Sequence, residues 1–413
     1  MKVRIIKGTK QIGGCITEIC VKNSKIIIDF GNDLKESNDN FELIGLTKGK
    51  SIYDGVFITH SHGDHIGLIN KINKDIPVYV EEKTLKIHNL TCDFCNKEKV
   101  TREINTFTIK PNTKMETIKD RCIFNNGDIQ VYTYMGDHSS YNSCMFLVVG
   151  DGKKLLHTGD FRNHGRRNNV IRNSLKKIGK VDMLITEGTT LTRNIEKFKT
   201  EIELENEAVK IMKKYDEVLV IQSSTNFDRT TSFLKASIRT HKKFILDLFS
   251  YHLQEIINRF IIIDNIQVYL WKPYKYKFIK DGSFKEKYYD IDSNLFRAFP
   301  YFTMEVKESM LPDIKKLYEK GLLKNACLIY SMWNGYMEKE EKLKKFLEEL
   351  KKMNIEIIYL HTSGHADKMA FKELNEIINP NQTIIIHTEQ GSLGNNIFNN
   401  VIEISDGKIV EVE

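Results

Sequence analysis

Thr59-His60-Ser61-His62-Gly63-Asp64-His65 packs four metal-binding side chains into six residues, His60 to His65. The stretch Tyr53 to Thr59 before it reads as a buried strand, and Ile66-Gly67-Leu68-Ile69 after it reads as the first turns of a helix. On extended backbone, side chains two apart point the same way, so His60 and His62 are placed to grip one ion. Asp64 and His65 then sit at the helix start, turned towards a second ion beside the first. Histidines and a carboxylate at H-x-H-x-D-H spacing point to a two-metal hydrolytic centre.

Two ions need more ligands, and the chain offers them where strands end. Asp137-His138-Ser139 follows the strand-like Ile129 to Tyr134, Asp160 closes the run from Lys154, and His387 closes the run from Thr383. Residues at such junctions carry function on a rigid scaffold. The ordered set Asp29, His60, His62, Asp64, His65, His138 and Asp160 resembles the metallo-β-lactamase fold. Glu187 in Ile-Thr-Glu-Gly-Thr, His365 in Thr-Ser-Gly-His-Ala and His387 in Ile-Ile-His-Thr-Glu resemble the three extra motifs of its β-CASP branch, whose members cut nucleic acids.

That resemblance runs over essentially the whole chain. It implies an α/β protein: an αββα sandwich over 1–195 and 351–413, interrupted by an inserted β-CASP α/β domain over 196–350. It further implies that His60, His62 and His138 hold one ion, that Asp64, His65 and His387 hold the other, and that Asp160 bridges them. Imidazoles and carboxylates without cysteine suit two Zn2+ ions, and Mn2+ accepts a similar shell. Asp64 also orients the attacking hydroxide, while Asp29 and Glu187 fix imidazole tautomers; a plain structural role for those two carboxylates, capping backbone N–H groups, is the alternative.

His365 is a catalytic candidate together with Asp64 and Glu187. Ser363-Gly364 lets the backbone approach a ligand, and a helix expected from Asp367 presents free N–H groups to phosphate. His365 would then meet the scissile phosphate and protonate the departing oxygen. His361 reads as structural. A second phosphate element is expected at Ser223, Asn226 and Arg229, where a strand runs into a helix, although ordinary helix capping explains the same residues. The segment 271–280, with Lys275 and Lys277 among aromatics, reads as a candidate base-stacking loop or a solvated one. His88, Cys92, Cys95 and Cys122 hint at an accessory metal site, but a second well-spaced ligand pair is missing.

From 196 onward the pattern is β-α alternation, the signature of a small parallel sheet with helical crossovers. Because Asp160 and His387 are expected in one centre, the stretch between them must leave the first domain and return. At 413 residues, with 41% apolar and 28% charged side chains, the chain has the composition of a globular protein rather than a disordered one. Seven scattered cysteines argue for reduced thiols in a cytoplasm, and no apolar run reaches membrane-spanning length. The net charge of +7 suits an acidic partner without proving one.

The function expected from the resemblance is that of a ribonuclease like the RNase J and cleavage-factor groups, acting on RNA, single-stranded in a narrow cleft. His387 carries the RNA preference, since DNA-processing relatives typically have valine at that motif. A DNA nuclease of the repair type shares the metal motifs and is the alternative. A small-molecule metallo-hydrolase would not need the insertion, and a non-catalytic subunit would be expected to have lost ligands. The chain ends 26 residues after His387, so a homo-oligomer, if formed, is not expected to use an RNase J-type C-terminal domain.

Overall fold

The computed structural model describes residues 1–34, 41–109, 119–193, 195–257, 266–269, 288–289 and 295–413. The basic-aromatic segment 271–280, with Lys275 and Lys277, lies outside them. Two compact units emerge: Met1–Phe198 with Gly364–Glu413, and Lys199–Ser363.

In the first unit, strand periodicity decides the layering. Ile26 and Ile28 point one way and Ile27 the other; the same alternation separates Phe146 and Val148 from Met145 and Leu147, and Ile384 and Ile386 from Ile385. Each strand therefore has two apolar faces. Among the described residues, one sheet runs in the order Ile409–Glu411, Lys2–Lys7, Ile16–Val21, Ser24–Ile28, Gly55–Phe57, Val78–Glu81, Asn105–Phe107. The other runs Gln382–Ile386, Met183–Glu187, Lys153–His157, Cys144–Gly150, Gln130–Met135, Cys122–Asn125.

The inner faces pack on each other through Val3, Ile5, Phe57, Phe146, Leu155 and Ile384. The outer face of the second sheet is covered by helices Asn168–Ile178 and Lys368–Ile378, through Ile171, Leu175, Phe371 and Leu374. The outer face of the first packs on Ile66, Leu68, Ile69 and Ile72. This is the αββα sandwich. Each fully buried Ile, Leu or Phe of these layers contributes roughly 1.5–3 kcal/mol.

The second unit holds a parallel sheet, ordered among the described residues Tyr288–Tyr289, Ile266–Tyr269, Lys243–Asp247, Phe302–Glu305, Glu217–Ile221, Ala326–Tyr330, Glu356–Tyr359. Helices Glu201–Met212, Phe227–Arg239 and Glu341–Lys352 follow the expected alternation. The return boundary differs from the expected 351. Strand Glu356–Tyr359 pairs with Ala326–Tyr330 in this sheet, so the chain re-enters the first unit only at Gly364. A short β-rich run carries no mark of which sheet it joins.

The expected phosphate element is also corrected here. The Arg229 side chain is fully buried and donates to Glu201 (3.1 Å), to the Ser331 carbonyl (3.0 Å) and to the Thr362 carbonyl (2.7 Å). It braces the interior of the unit and offers no fork to a surface phosphate. Asn226 caps helix Phe227–Arg239 by accepting from the Arg229 N–H at 3.1 Å. Ser223 alone of the three is exposed, with its hydroxyl 3.0 Å from that of Thr225. His361 lies 3.3 Å from the Arg229 guanidinium, a structural position.

All seven cysteines are free thiols. No helix among the described residues is long and apolar enough to cross a membrane.

Replacing Arg229 by Met strands the buried Glu201 carboxylate, and removing one member of such a pair costs about 3–5 kcal/mol. Urea denaturation of Arg229→Met followed by circular dichroism should show a large drop in midpoint. An unchanged midpoint would contradict the bracing role.

Candidate metal centre

The metal-binding motif leaves its strand earlier than its apolar pattern predicts. Regular strand pairing covers only Gly55–Phe57; beyond it the Ile58 N–H still donates to the Tyr79 carbonyl at 3.1 Å and the Thr59 carbonyl accepts from the Cys144 N–H at 2.8 Å. The helix after it is a single turn, Gly63–Ile66, with a 3-10 turn at Ile69–Lys71. Backbone bonds clamp this turn against the loop after Ser24–Ile28: Phe30 N–H donates to the His65 carbonyl and Asn32 N–H to the Gly63 carbonyl, both at 2.9 Å. A Cβ on Gly31 would stand 1.7 Å from the Asp64 carbonyl oxygen, so only glycine allows the approach.

Strand ends of both sheets bring the side chains together. His60 Nε2 and His138 Nε2 stand 3.0 and 3.2 Å from His62 Nδ1. A tetrahedral shell with metal–nitrogen bonds of about 2.0–2.1 Å has edges of roughly 3.3–3.4 Å, so the three nitrogens are spaced as corners of such a shell. A second group is Asp64, His65 and His387, with His387 Nε2 3.1 Å and His65 Nε2 3.7 Å from Asp64 Oδ2. Asp160 Oδ2 faces both: it is 3.9 Å from His60 Nε2, 4.0 Å from His138 Nε2, 3.3 Å from His65 Nε2 and 3.6 Å from His387 Nε2.

Four of these imidazoles are held by their other nitrogen. His65 Nδ1 lies 2.7 Å from Asp29 Oδ2, His138 Nδ1 2.7 Å from the Gly364 carbonyl, His387 Nδ1 2.8 Å from the Thr189 hydroxyl, and His60 Nδ1 3.0 Å from the Thr59 hydroxyl. Gly364, expected to meet substrate, thus supports a ring through its backbone, and Ser363 beside it is buried. Asp29 and His387 both adopt left-handed backbone, φ +60° and +53°, which is uncommon for residues with a Cβ. Glu187 Oε1 and Oε2 each lie 3.1 Å from His365 Nδ1, and the carboxylate also accepts from the Phe161 and Thr189 N–H groups. Thr59 and Thr189 escape sequence reading because threonine at a strand end is too common to signal a role.

The electrostatics favour bound cations. Burial, reinforced by neighbouring imidazoles, pushes His60 and His138 well below the ordinary imidazole range, and burial takes His62 down to about 4. These shifts favour neutral rings, the form in which an imidazole can give a lone pair to a metal. Burial opposes a charge on His65, yet Asp160, Asp29 and Asp64 raise it well above its usual value. Burial would raise Asp160, but His387 and His65 hold it well below the carboxylate range.

Among the described residues no Lys or Arg forms an ion pair with Asp29, Asp64, Asp160 or Glu187. The buried His65 Nε2 also lacks a hydrogen-bond partner. Clustered buried carboxylates, neutral imidazoles and an orphaned ring nitrogen are the donor set of a divalent metal site.

The accessory site does not assemble. His88 Nε2 and Cys92 Sγ are 3.5 Å apart on one helix face, but Cys95 and Cys122 do not join them. Among the described residues, every group of three or more ligating side chains lies at the centre above.

Comparison with known proteins agrees with this geometry. Residues 25–221 match the beta-lactamase superfamily domain. The chain is 24% identical over 201 residues to transcription termination factor FttA of Lokiarchaeum sp. (strain GC14_75), covering 46% of this chain and 31% of that protein. It is 20% identical to cleavage and polyadenylation specificity factor 73 of Drosophila melanogaster, covering 95% of this chain and 60% of that one. The chain therefore spans less than two thirds of either relative. A crystal structure of a protein of unknown function from Enterococcus faecalis V583 superposes with a TM-score of 0.78 at 19% identity over 99% of both chains.

Asp29→Asn removes the charge that orients His65, and Thr189→Val removes the hydroxyl that orients His387, without touching a ligand atom. Loss of such support typically weakens metal affinity about 10–100-fold. Zinc competition titration with a chromogenic chelator should show that drop in each variant, with the fold intact; wild-type affinity in both would contradict the assignment.

Proposed function

We propose that the chain is a member of the β-CASP branch of the metallo-β-lactamase superfamily, and that it is a ribonuclease that hydrolyses RNA phosphodiester bonds at a dinuclear centre; the match to the beta-lactamase superfamily domain and the two relatives support this reading. The observation that carries this reading is the convergence of His60, His62 and His138 with Asp64, His65 and His387 around Asp160. Two divalent ions about 3.5–4 Å apart, zinc by the donor chemistry, would supply water activation and the clamp on attacking and leaving oxygens. The first triad and the second triad would hold one ion each, with Asp160 shared.

The remaining roles fall to this chain's own groups. Asp64 is placed to orient the attacking water. His365, its side chain 24% exposed beside buried Glu187, can reach substrate. Burial works against its charge, but Glu187 raises its basicity above the ordinary imidazole value, which favours the protonated ring. With Nδ1 held by Glu187, the proton on the other nitrogen would pass to the departing oxygen.

RNA is the favoured substrate on two grounds. His387 stands where DNA-processing members of the branch typically have valine. The relatives' names attach them to transcription termination and to cleavage and polyadenylation, which act on RNA. The free cysteines fit action in the cytoplasm. A repair-type DNA nuclease with the same centre is the second reading, favoured by the metal motifs that both kinds of enzyme share.

Matched single-stranded RNA and DNA oligonucleotides, incubated with zinc- or manganese-loaded protein, should show RNA cut much faster; equal turnover or a DNA preference would transfer the assignment to the second reading. Under the same conditions His62→Ala and Asp64→Ala should remain folded and lose cleavage by at least about 10³-fold, several kcal/mol of transition-state stabilisation. Near-wild-type rates in either would remove the metal mechanism. Parallel digestion of 5′-monophosphorylated, 5′-triphosphorylated and circular RNAs then separates internal from end-directed cleavage.

A further inference from the structure

A cavity of about 360 Å³ opens in the first unit, lined in part by Glu81, Glu82, Lys83, Tyr141, Asn142 and Arg167. The loops that form it also carry metal-binding candidates. Tyr141 lies three residues beyond His138, a span of at most about 10–11 Å. Ser140 between them is tied to Ser61, between His60 and His62, by hydroxyls 2.8 Å apart. Arg167 is on the loop that follows Asp160, and Glu81 ends the strand next to Gly55–Phe57.

The lining has the chemistry of an anion site. The Arg167 guanidinium stacks on the Tyr141 ring at 4.1 Å from its centroid, and Lys83 Nζ lies 5.4 Å from the same centroid. A guanidinium held by its face keeps its N–H edges for a forked contact with phosphate. Among the described residues neither cation has a carboxylate partner within ion-pair distance. The two acids of the lining have partners of their own: buried Glu81 accepts from Asn142 Nδ2 at 3.0 Å and from the Thr84 N–H at 2.9 Å, and Glu82 pairs with Lys86, though both also act on Lys83 through space.

We propose that this cavity is a subsite for a phosphate flanking the cleaved bond of the bound strand, gripped by the edge of Arg167 and by Lys83, with Tyr141 as the platform that fixes the guanidinium. The assignment rests on the nuclease reading above and adds to it the residues that position the strand beside the centre.

The test uses the full chain with zinc restored and a labelled single-stranded RNA. Arg167→Ala should raise KM about tenfold and change kcat by less than about twofold, since a contact made equally in ground and transition states is lost. The slope of log affinity against log salt should fall by about 0.7, the value for one phosphate contact on a single strand. Arg167→Lys, which keeps the charge and loses the fork, should fall between. Lys83→Ala, on a different element, reads the same subsite if Arg167→Ala folds poorly. Wild-type KM and salt slope in both alanine variants, with RNA still cut by the wild type, would overturn the subsite and leave the nuclease reading standing. A wild type that neither binds nor cuts RNA would overturn both.

Discussion

One carboxylate oxygen organises this molecule. Asp160 Oδ2 stands 3.3–4.0 Å from ring nitrogens of His60, His65, His138 and His387, which arrive from both sheets of the first unit. A buried carboxylate in that position is costly unless positive charge meets it, and among the described residues that charge does not come from Lys or Arg. Each local irregularity nearby serves to bring donors to this point. Asp29 and His387 adopt left-handed backbone at strand ends, and Gly31 admits the Asp64 carbonyl where a methyl group would collide.

The ring nitrogens facing away from the centre fix how the imidazoles are turned. Asp29, Thr59, Thr189 and the Gly364 carbonyl each hold one imidazole at 2.7–3.0 Å. Two of these supports sit on the chain near the insertion: Thr189 shortly before it leaves the first unit, and Gly364 where it returns. Glu187 likewise holds His365, while its own oxygens are fixed by backbone N–H groups.

The convergence of these side chains was legible because residues able to bind a metal are restricted in type and spacing more tightly than packing residues are. His60, His62, Asp64 and His65 declare themselves within six residues, and His138, Asp160 and His387 each close an apolar strand. The layered fold was legible for a related reason, since Ile26 to Ile28 and Ile384 to Ile386 are apolar on both faces. What failed depended on tertiary placement. Arg229 looks like a phosphate ligand in sequence and proves to be a buried brace for Glu201, because a strand-to-helix turn does not reveal which way a long side chain folds. Strand Glu356–Tyr359 joined the other sheet, since a short strand pairs with whichever edge is offered.

Crystals grown with zinc, with diffraction recorded on both sides of the zinc absorption edge, test the central claim most directly. The account predicts two anomalous peaks: one among His60 Nε2, His62 Nδ1 and His138 Nε2, the other among Asp64 Oδ2, His65 Nε2 and His387 Nε2, with Asp160 Oδ2 between them. A single peak, or peaks away from Asp160, would contradict it.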